Sequence, residues 1–396
     1  MTLHTAQLRA RLGSGEHREL WAEVEAAAAH TGRPLGVTEH MLGLMDWSSL
    51  EGCPIRRQLL PLHSELEPDH PLCRHDPLGE ACGQVVPGLV RRYPDRALLL
   101  STSRCPVYCA FCTRSWAVGP RREAGTRQRW ELALGALAAD RSILDVTVSG
   151  GDVWRLAAGD LGWLVQRLLE LPGIERIRLA TRGLVADPAH LERGPLLDTL
   201  ATLASRARER GVRLALHVHL NHPRELGREA QGAAASLVHA GLTLRSQTVL
   251  LRGVNDEPQA LLALVKATVK AGISPYYVYN ADMAPGAEHL RTSLAAAAEL
   301  EKQLRGHTAG FDLPTFVCDV QGGGGKRQLH SWERYDREWG LAVFRSPVVD
   351  PERLFLHADP LRDLAPDVQR GWLEYDSRLA RIESALRSVH CPPSAG

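Results

Sequence analysis

Residues 96–112 read RALLLSTSRCPVYCAFC, a short apolar, β-rich run that leads into a loop with three cysteines. The cysteines are Cys105, Cys109 and Cys112, in the spacing C-x3-C-x2-C. Three thiolates from one short loop can bind three irons of a [4Fe-4S] cluster and leave the fourth iron open to a small molecule. The segment therefore predicts an iron–sulfur loop that directly follows a β-strand.

A structural zinc site is the main alternative for these cysteines. Zinc ordinarily takes a fourth Cys or His ligand at a typical spacing, and residues 102–118 contain no further residue of either type. Cys73, His75 and Cys82 form a second, weaker zinc pattern, for which an ordinary polar loop is the simpler interpretation. We therefore interpret the three-cysteine loop as a cluster site.

Outward from this loop, β-rich runs alternate with helical patterns between about residues 91 and 326. The runs are RALLLST (96–102), ILDVTVSG (143–150), IERIRLA (174–180), VRLALHVH (212–219), LRSQTVLL (244–251) and SPYYVYN (274–280). Repeated strand–helix alternation predicts an α/β fold with a parallel sheet, either a barrel or a doubly wound sheet.

Polar residues follow the ends of these predicted strands, as they do in the active sites of parallel barrels. Beyond the cysteines they include Ser149, Gly150, Gly151, Asp152, Arg182, His219 and Asp282, and Gln247 lies within the fifth run. A polar residue in one loop would mean little. Six successive strands that end in this way favour an active site at the carboxyl edge of the sheet.

Composition and charge exclude several classes of protein. The chain has 396 residues, 44% of them hydrophobic, and a net charge of +1, so no nucleic acid or charged membrane partner is indicated. No apolar run reaches the length of a membrane span, and the N-terminus lacks the apolar core of a signal peptide. We therefore expect a cytoplasmic protein whose eight cysteines are thiols or metal ligands.

A second motif, GGGGK, occupies residues 322–326. It is not a phosphate-binding P-loop, because Val320 and Arg327 stand where that motif needs Gly and Ser or Thr. A flexible linker is one alternative. A lysine that forms a Schiff base with pyridoxal phosphate is the other. Because the chain has only four lysines and Lys326 lies outside the predicted helices, Lys326 is the best candidate for that role.

Together these motifs make the chain similar to the lysine 2,3-aminomutase family, radical S-adenosylmethionine (SAM) enzymes that also use pyridoxal phosphate (PLP). The similarity runs from about residue 50 to 345. It includes IRRQLLPLHSEL, PGLVRRYPDRALLL, CPVYCAFCTR, VSGGD, HLNHPRE, LLRGVND, SPYYVYNADM, LRGHTAGFDLPTFVCD and GGGGK. The resemblance implies a partial (β/α)6 TIM-like barrel with an N-terminal helical segment and a C-terminal helical extension.

The resemblance also implies roles for individual residues and three cofactors: a [4Fe-4S] cluster, SAM and PLP. It implies cluster ligation by Cys105, Cys109 and Cys112; SAM binding by Ser149, Gly150, Gly151, Asp152, Arg182 and His219; PLP binding by Lys326, Arg92, Arg96 and Gln247; and substrate binding by Arg114, Asp282 and Asp319. In this scheme Lys326 is the catalytic Schiff-base lysine and Arg114 pairs with the substrate carboxylate.

Asp282 and Asp319 indicate the class of substrate. Two carboxylates in one cavity repel each other and favour a cation between them. We therefore expect a basic amino acid, with L-lysine converted to β-lysine. Arginine and a peptidyl lysine remain as alternative substrates, because Ser115 and Trp116 replace two cationic positions of the family pattern. A radical SAM epimerase activity is a separate alternative.

Three regions are predicted: a helical and irregular segment over 1–90, the barrel with its PLP-lysine loop over 91–330, and an extension over 331–396 that could form an oligomer contact. Some family members hold an intersubunit zinc ion with cysteines after the RGVND motif and in the tail. Here Asp256 and Glu257 follow that motif and the tail has only Cys391, so no such zinc is predicted. A reductant protein such as flavodoxin or ferredoxin and a homo-oligomeric state are also expected.

Overall fold

The computed structural model describes residues 2–119 and 125–390, and Cys391 lies outside the described residues. Its strands are β1 Thr2–His4, β2 Gly36–Thr38, β3 Gln84–Val86, β4 Leu89–Tyr93, β5 Arg96–Thr102, β6 Asp145–Gly150, β7 Arg176–Thr181, β8 Arg213–His219, β9 Thr243–Leu250, β10 Ser274–Asn280, β11 Thr315–Val320, β12 Gly325–Gln328, β13 Trp332–Asp336, β14 Leu341–Ser346 and β15 Asp350–Ala358. Its helices are α1 Thr5–Leu12, α2 Arg18–Thr31, α3 Glu39–Gly43, α4 Pro54–Leu59, α5 Arg127–Ala139, α6 Ala158–Glu170, α7 Gly183–Ala186, α8 Leu196–Glu209, α9 Arg228–His239, α10 Pro258–Lys270, α11 Leu294–Leu304, α12 Pro366–Leu373 and α13 Tyr375–His390.

The central sheet has ten strands in the order β12-β11-β10-β9-β8-β7-β6-β5-β4-β3. The six predicted runs become β5 to β10, in chain order and all parallel, which confirms the predicted α/β partial barrel. A seventh parallel strand, β11, was not predicted; it pairs with β10 and carries Asp319. The antiparallel hairpin β3–β4 extends the other edge, so the sheet begins at Gln84.

Helices cover the convex face of this sheet because their apolar residues recur at helical spacing. In α6, Leu161, Leu164, Val165 and Leu168 follow the i, i+3, i+4, i+7 pattern and are buried. They pack in the main core with outward-facing strand residues such as Val146. Replacing Leu164 by Ala would cost about 2–5 kcal/mol of stability, the usual range for a buried leucine.

The N-terminal segment packs against the three-cysteine loop. The short hairpin β1–β2 is antiparallel, with Thr2 opposite Thr38. The Thr2 hydroxyl donates to the carbonyl of Pro106 at 2.8 Å, and the Tyr108 amide donates to the carbonyl of Gly36 at 2.9 Å. A Cβ atom on Gly36 would lie 2.6 Å from the Tyr108 ring, so only glycine permits this close approach.

The C-terminal region differs from the predicted helical extension, because a three-stranded antiparallel sheet, β13-β14-β15, precedes the two helices. The apolar residues of the two helices differ in exposure. Trp372 is fully buried, and Ile382 and Leu386 pack beside it, whereas Leu373, Tyr375 and Leu379 are exposed. The oligomer contact stays a prediction. No helix among the described residues is long and apolar enough to span a membrane.

Candidate active site

A cavity of about 410 Å³ lies inside the curve of the central sheet. Its walls are the strands β4 to β12, the loops at the carboxyl ends of the parallel strands and the loop that carries Glu80. All of the residues predicted for the cluster, SAM, PLP and the substrate line this cavity. They are Arg92, Arg96, Cys105, Cys109, Cys112, Arg114, Ser149, Gly150, Gly151, Asp152, Arg182, His219, Gln247, Asp282, Asp319 and Lys326. The fold thus brings them together, while their individual roles remain predictions.

Strand alternation explains why the cavity wall is polar. Successive side chains of a strand point to opposite faces, so His217 and His219 of β8 face the cavity while Val218 enters the core. Tyr277 and Tyr279 of β10 face the cavity in the same way. Cavity residues that were not predicted include Glu80, Tyr93, Phe111, Thr147, Arg178, His217, Tyr276, Tyr277 and Tyr279. The alternating H-V-H and Y-V-Y patterns were the signal that could have found several of them.

The three cysteines suit a cluster better than a mononuclear ion. Burial raises the pKa of Cys112 to about 11 and that of Cys105 well above its usual value. Across the described residues, no three His, Cys, Asp or Glu side chains are placed to hold one metal ion together. Each cysteine of a [4Fe-4S] cluster binds a different iron, so its ligands need not converge on one point. Three thiols in one loop of one cavity therefore fit the predicted cluster.

Arg182 lies against a cysteine rather than free in the cavity. Its Nη1 is 2.8 Å from Sγ of Cys109, and its Nη2 donates to Gln58 at 2.7 Å and to Glu225 at 3.1 Å. Glu225 is fully buried, so this arginine is held firmly. Its Nε is buried and has no hydrogen-bond partner. Both Nη1 and Nη2 of Arg182 are therefore already engaged, and its predicted contact with SAM stays a prediction.

The SGGD segment forms a tight turn after β6. Gly150 has φ +106°, and a Cβ there would lie 2.4 Å from the carbonyl oxygen of Thr102. Asp152 accepts hydrogen bonds from the Trp154 amide at 2.9 Å, the Thr181 hydroxyl at 2.6 Å and the Arg182 amide at 2.7 Å. Its carboxylate therefore fixes the turn, which leaves backbone atoms and Ser149 to face a ligand.

His219 and Gln247 have defined partners on the cavity wall. The His219 ring stacks on Phe111 with centroids 5.6 Å apart, and burial lowers its pKa to about 3, so the ring is neutral. The Gln247 amide lies 3.2 Å from Nδ1 of His217 and donates to the Tyr279 hydroxyl at 3.1 Å. Both side chains are thus oriented before any ligand binds.

Asp319 forms the centre of a charge cluster. Its carboxylate lies 3.0 Å from Arg92 through both oxygens and 3.3 Å from Nζ of Lys326. Burial alone would raise the pKa of Asp319, but Arg92 and Lys326 outweigh that effect and hold its pKa below the usual value. Asp319 is therefore ionised and already paired.

Asp282 is the second carboxylate of the predicted pair, and its surroundings differ. Among the described residues it forms no side-chain hydrogen bond or ion pair. Burial, reinforced by the nearby charge of Asp319, raises its pKa to about 8. Lys326, Arg92 and Arg291 act in the opposite direction without cancelling the rise. Asp282 is consequently the carboxylate available to a cationic ligand.

The glycine run is a tight turn rather than a flexible linker. It joins β11 to β12, with Asp319 opposite Lys326 in the register. Gly325 has φ +84°, and a Cβ there would lie 2.5 Å from the Tyr93 hydroxyl oxygen. That hydroxyl accepts a hydrogen bond from the Lys326 amide at 2.7 Å. Positive φ and close packing explain the glycines and fix where Lys326 enters the cavity.

The residues present fit PLP. Lys326 offers a primary amine inside the cavity, and Arg92 and Arg96 come from the adjacent β4–β5 hairpin. Arg96 stacks on the Tyr93 ring at 4.1 Å, and its Nε lies 3.3 Å from a carboxylate oxygen of the partly exposed Asp95. Guanidinium groups suit a dianionic phosphate. Arg92 pairs with a buried carboxylate, Asp319, whereas the partner of Arg96 is partly exposed, so Arg96 is the freer of the two phosphate candidates.

Arg114 has a partner that the sequence analysis did not predict. Its Nε and Nη2 donate to the two oxygens of Glu80 at 2.6 and 2.7 Å. Its Nη1 lies 3.4 Å from the Ser149 hydroxyl. Glu80 is 34 residues away in the chain, so no local motif predicts the pair.

The fold and these side chains define an α/β partial barrel with a three-cysteine loop at its carboxyl edge, the arrangement of the radical SAM class. A sequence model of the family described as Lysine-2,3-aminomutase matches residues 301–332. The chain is 38% identical to an L-lysine 2,3-aminomutase of Fusobacterium nucleatum, over 74% of this chain and 66% of that protein. It is 37% identical to an L-lysine 2,3-aminomutase of Acetoanaerobium sticklandii, over 74% of this chain and 68% of that protein.

A glutamate 2,3-aminomutase of Clostridioides difficile is 30% identical, over 74% of this chain and 67% of that protein. The match spans about two thirds of the length of each of these relatives. The chain belongs to the lysine 2,3-aminomutase family, whose members are isomerases. Because relatives that act on lysine and on glutamate both match, the family does not by itself fix the substrate.

Proposed function

We propose that this protein is a radical SAM, PLP-dependent 2,3-aminomutase that converts L-lysine to β-lysine. The observation that carries the proposal is Asp282, an unpaired, half-buried carboxylate near the paired Asp319 in the cavity that also holds Lys326 and the cysteines. An ammonium group would stabilise the ionised form of Asp282, which the nearby charge of Asp319 otherwise disfavours. A substrate carboxylate there, as glutamate would bring, would instead be repelled by Asp319.

The remaining roles follow from the contacts. Cys105, Cys109 and Cys112 would hold the cluster, and Lys326 would hold PLP, with Arg96 as its main phosphate partner. These groups would supply a SAM-derived radical and an imine π-system through which an amino group can migrate. Ser149 and the backbone of the SGGD turn would face the methionyl part of SAM.

The chain would orient the substrate through charges at two places on the cavity wall. Arg114 would bind its carboxylate in a bidentate manner, and Asp282 its terminal ammonium. Anchoring both ends limits rotation and holds the carbon chain in one position. The neutral ring of His219 and the apolar face of Phe111 would exclude competing proton donors near the cluster loop.

Arginine is a weaker candidate than lysine. The replacements that kept it open, Ser115 and Trp116, are not among the described residues that line the cavity. They therefore do not contribute to the walls around Asp282 and Arg114.

An anaerobic assay of the reconstituted protein with SAM, PLP and dithionite tests the proposal. Lysine, arginine, ornithine and glutamate are offered separately, and products are identified by mass spectrometry and NMR. We expect β-lysine from lysine, and loss of at least about 100-fold of turnover in Asp282→Asn, since a charge anchor is removed. The surface variant Lys302→Ala serves as the matched control.

Conversion of glutamate in preference to lysine would contradict the role of Asp282. A β-amino product from arginine would keep the reaction and change the substrate. Turnover that does not depend on PLP would instead support an epimerase.

A further inference from the structure

Glu80 is a buried carboxylate in the cavity wall to which the proposed function assigns no role. Its side chain is 6% exposed and forms two hydrogen bonds to Arg114. Burial alone would raise the pKa of Glu80, but the Arg114 guanidinium outweighs this and lowers it, so Glu80 is ionised. The cavity therefore already contains one carboxylate on the arginine that is expected to receive another.

The loop that carries Glu80 is fixed to the glycine turn of Lys326. The Gly322 amide donates to the Pro77 carbonyl at 2.8 Å, and a Cβ on Gly79 would lie 3.6 Å from the backbone of both Gly322 and Gly323. Asp76 accepts from the Ala81 amide at 2.7 Å and closes the loop. Glu80 thus approaches Arg114 from a rigid support.

The possible role of Glu80 depends on which edge of the Arg114 guanidinium group it occupies. A guanidinium group has five N–H donors, and two of its edges can bind a carboxylate. Glu80 takes the Nε–Nη2 edge. On the Nη1–Nη2 edge, the described residues provide only the Ser149 hydroxyl, at 3.4 Å from Nη1. That edge remains open to a carboxylate in the cavity.

Two roles for Glu80 can be distinguished on this basis. A competitor would occupy the donors that the substrate needs and would have to leave when the substrate binds. A positioning residue would occupy the other edge and stay. Because Glu80 binds through Nε and comes from a loop held by backbone contacts, the geometry favours the second role.

We propose that Glu80 is a positioning residue that fixes Arg114 by its Nε–Nη2 edge, so that the Nη1–Nη2 edge selects a substrate with a free carboxylate. This inference rests on the proposed function, in which Arg114 receives the carboxylate of the amino acid. It predicts that a free amino acid is preferred to a lysine whose carboxyl group is blocked, as in a peptide.

The test compares L-lysine with L-lysine amide, whose carboxylate is replaced by a neutral group. Binding to the anaerobic holoenzyme is measured by calorimetry, and kcat and KM are measured in parallel. We expect wild type to prefer lysine to the amide by at least about tenfold, the range of one good bidentate pair. In Glu80→Gln this preference should fall at least fivefold, by roughly the loss of one charged hydrogen bond, with the amide affected little.

Two further variants serve as controls. Glu80→Asp keeps the charge but shortens the side chain, and it should give an intermediate preference. Glu65→Gln removes another carboxylate that pairs with two arginines, Arg56 and Arg57, away from the cavity, and it should leave the preference unchanged. If Glu80→Gln does not fold, the preference measured in Glu80→Asp decides the matter.

An unchanged or increased preference for lysine in the Glu80 variants would overturn the inference, since removing a competitor strengthens carboxylate binding. Failure of the proposed function is separate from this outcome. If wild type acts on arginine or ornithine instead, the same comparison is made with that amino acid and its amide. If wild type does not discriminate against the amide, the inference is wrong whichever amino acid reacts.

Discussion

Asp282 and Asp319 are neighbours with opposite protonation behaviour, because their partners differ. Arg92 and Lys326 pair with Asp319 and hold its pKa low. Asp282 has no such pair, and burial raises its pKa to about 8. At neutral pH the two carboxylates together thus carry about one negative charge. A cationic substrate must displace the proton of Asp282 before it can interact with a second negative charge.

This arrangement predicts that substrate binding depends on pH. Below about pH 8 Asp282 is protonated, so the apparent KM for lysine should fall as the pH rises and level off above that value. One proton must leave for each substrate bound, so the limiting slope is about tenfold per pH unit. Steady-state kinetics from pH 6 to 9 would measure it. Asp282→Asn should lack the dependence, and a wild-type KM that is flat over this range would contradict the prediction.

Arg182 permits a second prediction at the scale of one residue. Its Nη1 lies 2.8 Å from Sγ of Cys109, and hydrogen bonds and positive charge near cluster sulfurs raise the reduction potential. In Arg182→Gln combined with Glu225→Gln, which removes both charges of the buried pair, the cluster potential should shift negative by on the order of tens of millivolts. A redox titration followed by EPR would measure the shift. No change in potential would show that Arg182 acts on structure alone.

At the scale of elements, the turn between β11 and β12 places the lysine. Three of its four glycines have positive φ, and the turn packs against Tyr93 and the loop of Glu80. A swinging linker would not need these contacts. The turn therefore holds the backbone of Lys326, and movement of the amine is left to its own side chain.

Gly325→Ala tests this interpretation. A Cβ at φ +84° and 2.5 Å from the Tyr93 hydroxyl adds strain and a clash, so we expect a loss of about 2–4 kcal/mol in the free energy of unfolding. Less PLP should also be retained, measured by absorbance of the Schiff base. Gly306→Ala has a similar φ of +89° but open space, and it should lose only about 1–2 kcal/mol. Equal losses in the two variants would show that the Tyr93 contact is not tight.

At the scale of the whole molecule, buried histidines determine the response to acid. Burial lowers the pKa values of five of them: to about 3 for His70, His217 and His219, to about 4 for His289, and well below the usual value for His357. The unfolded chain takes up these protons below about pH 6.5, whereas the folded chain does not. Three carboxylates act in the opposite direction: Asp282 and Asp359, with pKa values raised to about 8 and 6, and Asp152, whose pKa is raised by burial.

More histidines are shifted in this way than carboxylates are shifted in the opposite direction, so stability should be lost as the pH falls. Each extra proton on the unfolded chain corresponds to about 1.4 kcal/mol per pH unit between roughly pH 5.5 and 4. Thermal unfolding at pH 7, 6, 5 and 4.5 would measure the loss. His357→Gln should reduce the slope, whereas His307→Gln, at an exposed position, should not. A melting temperature that is constant over this range would contradict the prediction.

Much of the fold could be predicted from the sequence because its signals are local. Apolar β-rich runs, helical periodicity and the Pro-Gly after α6 each lie within a few residues, and they gave β5 to β10 in the correct order. The seventh strand, β11, was not predicted, although its run, TFVCDV, is rich in β-branched and aromatic residues. The sheet β13-β14-β15 was not predicted because the amphipathic pattern of the helices that follow it is the stronger local signal.

The same distinction between local and long-range signals applies to the cavity residues. The sequence by itself determined that three cysteines, a glycine-flanked lysine and two aspartates are present, since each belongs to a short motif. Only the tertiary structure decided which charges are paired. Arg114 meets Glu80 34 residues away, Arg182 meets Cys109 73 residues away, and Arg92 meets Asp319 227 residues away. Such pairings depend on side chains that reach across separate elements, and residue type and spacing do not encode that distance.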